Sequence, residues 1–118
     1  MKIAFDAKRA FLNRSGLGNY SRDIIRSLHD FYPEISCVLF SPTPQTDLLE
    51  EKYRQNVICP ATSSSLKASY WRSFKMGNDI ATLNPDIYHG LSNELPVNIS
   101  KSKAIKVVTI HDLIFIKF

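Results

Sequence analysis

The sequence predicts an α/β fold, a Rossmann-like three-layer sandwich built on a mainly parallel sheet. Three observations carry that reading. Short segments rich in Val, Ile and Phe alternate along the chain with segments whose apolar residues recur at helical spacing. Several of the short segments are apolar throughout, as strands covered on both faces are. Turn-forming residues, such as SPTP at 41–44 and Asn84-Pro85, stand at the junctions between the two kinds of segment.

The elements follow in chain order. KIAFDA (2–7) reads as the first strand, and KRAFLNRSGLG (8–18) as a mobile cationic loop. Tyr20, Ile24, Ile25, Leu28 and Phe31 then recur at helical spacing, and Pro33 closes that helix. ISCVLF (35–40) is a buried strand that SPTP cannot continue, because proline lacks the ladder donor. DLLEEKYRQ (47–55) reads as a short helix, NVIC (56–59) as a short strand and PATSSS (60–65) as a polar loop. A second long helix runs from about Leu66 to Leu83, with Trp71, Phe74 and Ile80 on one side. It stops before Asn84-Pro85, since the position before a proline disfavours helix. DIYH (86–89) and AIKVVTI (104–110) supply the last strands, on either side of the loop GLSNELPVNISKSK.

The 118 residues, 44% of them hydrophobic, suffice for one core, so a single domain over 1–118 is expected. No stretch reaches the roughly 20 apolar residues of a spanning helix, and MKIAFDAKRA lacks the apolar run of a signal peptide. A cytoplasmic location is the expectation. The net charge of +4 comes from Lys and Arg dispersed along the chain, which suits an anionic ligand better than nucleic acid. Cys37 and Cys59 lie in apolar runs, where a free thiol behaves as a small hydrophobe.

In open parallel sheets ligands bind beyond the carboxyl ends of the strands, near the point where strand order reverses. The loop after the first strand is therefore a candidate site. Lys8, Arg9 and Arg14 make it cationic, and Gly16 and Gly18 would let backbone approach an anion closely. Asn19 and the first turn of the following helix would add N–H donors at the positive end of a dipole. That chemistry suits a phosphate, although a flexible turn before a helix also accounts for an isolated Gly-x-Gly. A nicotinamide fingerprint fits poorly: Ser21 stands where the third glycine belongs, and no acid follows at the ribose-binding distance. His89 and His111 end two of the predicted strands, where imidazole can exchange a proton with a hydroxyl, or simply bond to backbone. His29 falls on the polar flank of a helix and reads as solvated surface. His111-Asp112 lacks the partner ligands that a metal centre of the HD-phosphohydrolase kind needs, so no metal is predicted.

Three segments together, IAFDAKRAFLNRSGLGNYSRDIIRSL, DIYHGLSNELP and KVVTIHDLIF, resemble the N-terminal half of a family 4 retaining glycosyltransferase of the GT-B fold. The resemblance runs from one end of the chain to the other. It implies an acceptor-side Rossmann-like domain facing a donor-binding one. The activity implied is sugar transfer, mannose as first choice, from a GDP- or UDP-linked donor to a glycan or lipid-linked acceptor in polysaccharide biosynthesis. No metal or other cofactor is required. It places His111 at the donor sugar as the catalytic residue and Gly16, Gly18 and Asn19 at the donor diphosphate. Lys8, Arg9, Arg14, His89, Asn93 and Glu94 would line the acceptor side of the cleft.

A family member continues beyond the position of Phe118, so a fragment inactive on its own is expected. The apolar tail Leu113, Ile114, Phe115, Ile116 and Phe118 then suggests self-association. The helix KASYWRSFKM (67–76) mixes aromatic and basic residues, which suits core packing or peripheral contact with an anionic bilayer. Two other classes compete: a non-catalytic module that binds a sugar phosphate, and a Rossmann-type nucleotide-binding enzyme such as an oxidoreductase.

Overall fold

The computed structural model describes residues 1–59, 76–91 and 103–108. The fold is α/β and Rossmann-like. Its elements are β1 (Lys2–Asp6), α1 (Lys8–Leu12), α2 (Gly16–Phe31), β2 (Ser36–Phe40), a single 3₁₀ turn (Glu51–Tyr53), β3 (Val57–Ile58), α3 (Met76–Leu83), β4 (Ile87–Gly90) and β5 (Ile105–Val108). The five strands form one sheet in the order β3-β2-β1-β4-β5, and every neighbouring pair is parallel.

Alternation along the strands divides the core in two. Ile3, Phe5 and Leu39 pack on one face with Phe11 of α1, Ile25 of α2, and Leu49 and Tyr53. Ala4, Val38, Phe40 and Tyr88 pack on the other with Met76 and Ile80 of α3. Successive strand residues point to opposite faces, so a strand apolar at every position demands a cover on both sides. That is why the uninterrupted IAF and VLF runs lie in central strands.

Asp86 joins the starts of β1 and β4: its N–H donates to the Lys2 carbonyl at 2.9 Å, and its Oδ2 accepts from the Lys2 N–H at 2.9 Å. α3 ends as expected before Pro85. Asn84 closes it at φ 53°, its N–H donating to the Ile80 carbonyl at 3.0 Å. Asparagine tolerates this left-handed conformation better than most residues.

Two expectations are corrected. Residues 8–12 form α1 and not a mobile loop, because Ala10 and Phe11 are buried and anchor the segment to the core. Of DLLEEKYRQ only Glu51–Tyr53 turns, as 3₁₀. There the Leu49 carbonyl accepts from Arg54 Nε at 2.8 Å, and the Tyr53 N–H reaches back to Glu50, so the i to i+4 pattern of an α-helix is not made. The polar loop 60–65, the helix expected from Leu66 as far as residue 75 with its membrane-contact residues, the loop 92–102 and the apolar C-terminal tail lie outside the described residues.

Candidate functional site

Strand order reverses between β1 and β4. β1 is followed by β2 on one side and flanked by β4 on the other, so the carboxyl ends of β1 and β4 lie at the reversal point where open α/β sheets commonly bind ligands. Asp6 ends β1 opposite Gly90, which is itself buried. Asp6 is 2% exposed, and its Oδ1 accepts from the Lys8 N–H at 3.3 Å, which starts α1. One residue earlier, Phe5 pairs in register with His89, their rings 5.6 Å apart and tilted by 35°. Burial lowers the His89 pKa from the ordinary imidazole value, favouring the neutral ring that can both donate and accept a proton.

The α1–α2 turn follows β1 by way of α1, and Asn13 organises it. Its side-chain Oδ1 accepts from the Ser15 N–H at 2.8 Å and the Gly18 N–H at 3.1 Å, and also from the Ser15 hydroxyl. Ser15 is the cap residue by position, but Asn13 performs the capping. The Asn19 N–H is spent on the Ser15 carbonyl at 3.0 Å. Among the described residues, the N–H groups of Gly16 and Leu17 make no hydrogen bond. They remain at the positive end of the α2 dipole.

The two glycines therefore differ. A Cβ on Gly16 would meet nothing within 4 Å, whereas one on Gly18 would lie 1.9 Å from the Asn13 carbonyl oxygen. Gly18 is required by the close approach of the protein's own backbone, not by an open loop. Both sit inside the first turn of α2, and neither has a positive φ.

Of the cations, Lys8 and Arg9 are half-buried on α1, directly after β1, and form no ion pair among the described residues. Arg14 is turned to Asp47, 3.7 Å away on an exposed surface. Lys8 and Arg9 thus directly follow the carboxyl end of β1 and His89 stands one residue before that of β4, while Gly16 opens α2 and Gly18 and Asn19 are engaged within the α1–α2 turn. Asn93, Glu94 and His111 lie outside the described residues. No group of three His, Cys, Asp or Glu is placed as metal ligands among those described.

Sequence reasoning missed Asp6, Asn13 and Arg22. The signal for Asp6 was an acid closing an otherwise apolar strand. Arg22 bore none, since it looks like any cation on an amphipathic helix, yet it is 4% exposed. Its Nη1 donates to the carbonyls of Ala10 at 3.1 Å and Asn13 at 2.7 Å, and its Nη2 to Asn19 Oδ1 at 2.6 Å.

A cavity of about 290 Å³ opens at the opposite, amino edge of the sheet, beside Ser36 and Cys37 at the start of β2. Two of its polar lining residues bond to Asp30: Tyr53 donates to Asp30 Oδ2 at 2.8 Å, and His29 Nδ1 lies 3.3 Å from Asp30 Oδ1. Those two contacts hold the Asp30 carboxyl below its ordinary pKa, Tyr53 contributing more than His29. Cys37 and Cys59 are both free, and burial pushes the Cys37 thiol up, away from the reactive thiolate. The strand topology makes the carboxyl edge the better candidate.

No protein-family model matches this chain, and neither a curated protein nor a solved structure matches it. No helix among the described residues is long and apolar enough to cross a membrane.

Proposed function

We propose that the chain is the acceptor-side domain of a retaining sugar transferase of the GT-B kind, taking its sugar from a GDP- or UDP-linked donor. The observation that carries the reading is the strand order. It makes β1, which leads into the α1–α2 segment, and β4, which carries His89, parallel neighbours, and this supports reading two of the three segments behind the resemblance as one site. In this reading Lys8, Arg9 and the open N–H groups of Gly16 and Leu17 meet anionic oxygens of the substrate. A departing diphosphate gains negative charge in the transition state, and fixed N–H dipoles with nearby cations stabilise it. Neutral His89 lines the acceptor side, where it holds a hydroxyl by donating or accepting. His111 is the proposed catalytic residue at the donor sugar, and Asn93 and Glu94 complete the acceptor wall. Metal plays no part in the proposed step, and mannose is the first donor sugar to try. A cytoplasmic setting, peripheral contact with a membrane through residues 67–76 and self-association through the apolar tail belong to the same proposal.

The test is turnover of a panel of GDP- and UDP-linked sugars by the gene product that carries this chain, beside its His111→Ala variant. Transfer or donor hydrolysis that falls at least about a hundredfold in the variant supports the reading. A folded protein that neither turns over nor binds any donor, yet binds sugar phosphates, would make it a binding module instead. Preference for nicotinamide dinucleotides would point to the oxidoreductase class.

A further inference from the structure

The α1–α2 turn contains a buried cation that no carboxylate contacts among the described residues; the charge of Asp23 favours it only at a distance. The three hydrogen bonds of Arg22 all go to neutral oxygens, and no carboxylate forms an ion pair with it among the described residues. Burial first, then the like charge of Arg26, lowers its pKa from the ordinary arginine value. A buried charge without a counter-charge is costly to keep, and an apolar side chain of similar length would fill the space at lower cost. What an apolar residue, or a lysine, lacks is the planar fork. With one edge Arg22 grips the Ala10 and Asn13 carbonyls at the end of α1, which have no intrahelical donors. With the other it holds Asn19, in the first turn of α2. The Gly18 contact shows independently that the two helices meet at a spacing with no room for a methyl group.

We infer that Arg22 is a positioning residue for the candidate site: its fork locks α1 to α2 so that the N–H groups of Gly16 and Leu17 stay aimed outward while those of Gly18 and Asn19 are held inside. The inference rests on the proposal that the first turn of α2 meets an anionic part of the substrate. Arg22 itself, nearly inaccessible, acts only through the turn.

The experiment uses the 118-residue chain, labelled with ¹⁵N, as wild type, Arg22→Lys, Arg22→Met and, as a control on the same helix, Arg26→Lys. Amide exchange is measured first, without ligand. Loss of the fork is expected to speed exchange at Gly18 and Asn19 at least about tenfold in both Arg22 variants, with Ile24 and Ile25 changed less than about twofold. Sodium pyrophosphate is then titrated. The Gly16 and Leu17 amides of the wild type and of Arg26→Lys are expected to shift with one affinity, weakened at least about fivefold in Arg22→Lys. Exchange that accelerates evenly along α2, or a lysine variant indistinguishable from wild type in both measurements, overturns the positioning role. Wild-type Gly16 and Leu17 amides that ignore pyrophosphate while the exchange pattern appears as expected overturn the anion reading instead, and leave Arg22 a clamp with no ligand to serve.

Discussion

Alanine at Gly18 and alanine at Gly16 are expected to change stability in opposite directions. At Gly18 the added methyl carbon would stand 1.9 Å from the Asn13 carbonyl oxygen, 2.7 Å from its carbonyl carbon and 3.0 Å from Arg22 Nη1. Two of these atoms are backbone, so relief requires the α1–α2 turn to move by more than an ångström. Such a movement breaks the Arg22 bond to the Asn13 carbonyl, now 2.7 Å, and the Gly18 N–H bond to Asn13 Oδ1, now 3.1 Å. A hydrogen bond to a charged group is worth about 1.5–3 kcal/mol and a neutral one about 0.5–1.5. Replacing glycine by alanine inside a helix returns about 1 kcal/mol. Gly18→Ala should therefore lose about 1–3.5 kcal/mol. Gly16→Ala, at a position open to solvent, should gain between a few tenths and about 1 kcal/mol. Urea unfolding of the two variants, followed by circular dichroism, reads both changes as shifts in midpoint at constant slope. A Gly18→Ala chain as stable as wild type would refute the close-approach argument.

Asn13→Ala removes the acceptor that caps α2 and should cost about 1–2 kcal/mol, with fast amide exchange confined to Ser15 through Gly18. For His89 the folded pKa lies below the unfolded one, so the unfolded chain binds the extra proton more readily. Its contribution is intact above about pH 6.5 and declines as pH falls from there through the folded pKa; the imidazole should titrate below that value by NMR, and His89→Asn should flatten part of the decline in urea midpoint. Arg26 holds Glu50 through two bonds, at 3.1 and 2.6 Å, which raises the guanidinium pKa and lowers that of the carboxyl. Glu50 is half-exposed, so Arg26→Met should cost less than about 1 kcal/mol, and the difference should shrink in 1 M salt.

The sheet was legible because its central strands are apolar at consecutive positions, which leaves few alternatives to a two-sided cover. α2 was legible from Ile24, Ile25 and Leu28, and the end of α3 from Asn84-Pro85. α1 was not, since five residues with Ala10 and Phe11 buried show no measurable period. The parallel neighbours β1 and β4, on which the candidate site is proposed, follow from the same alternation of strands and helices. The interior of that site was not legible. Gly16 and Gly18 are the same letter two residues apart, and only the position of the Asn13 carbonyl tells them apart. Arg22 occupies a helix position where a solvated cation is the ordinary occupant, and its burial depends on α1 folding across it.

In the proposed reading, ligand meets this protein at the carboxyl edge of β1 and β4. The most direct test is chemical-shift mapping of the ¹⁵N-labelled chain during titration with GDP- and UDP-linked sugars, with a nicotinamide dinucleotide as comparison. A sugar nucleotide is expected to move the signals of Lys8, Arg9, Gly16, Leu17 and His89 together, and the dinucleotide to move them less. Shifts gathered instead around His29, Tyr53 and Asn56, at the amino-edge cavity, or no shifts in the folded chain, would contradict it.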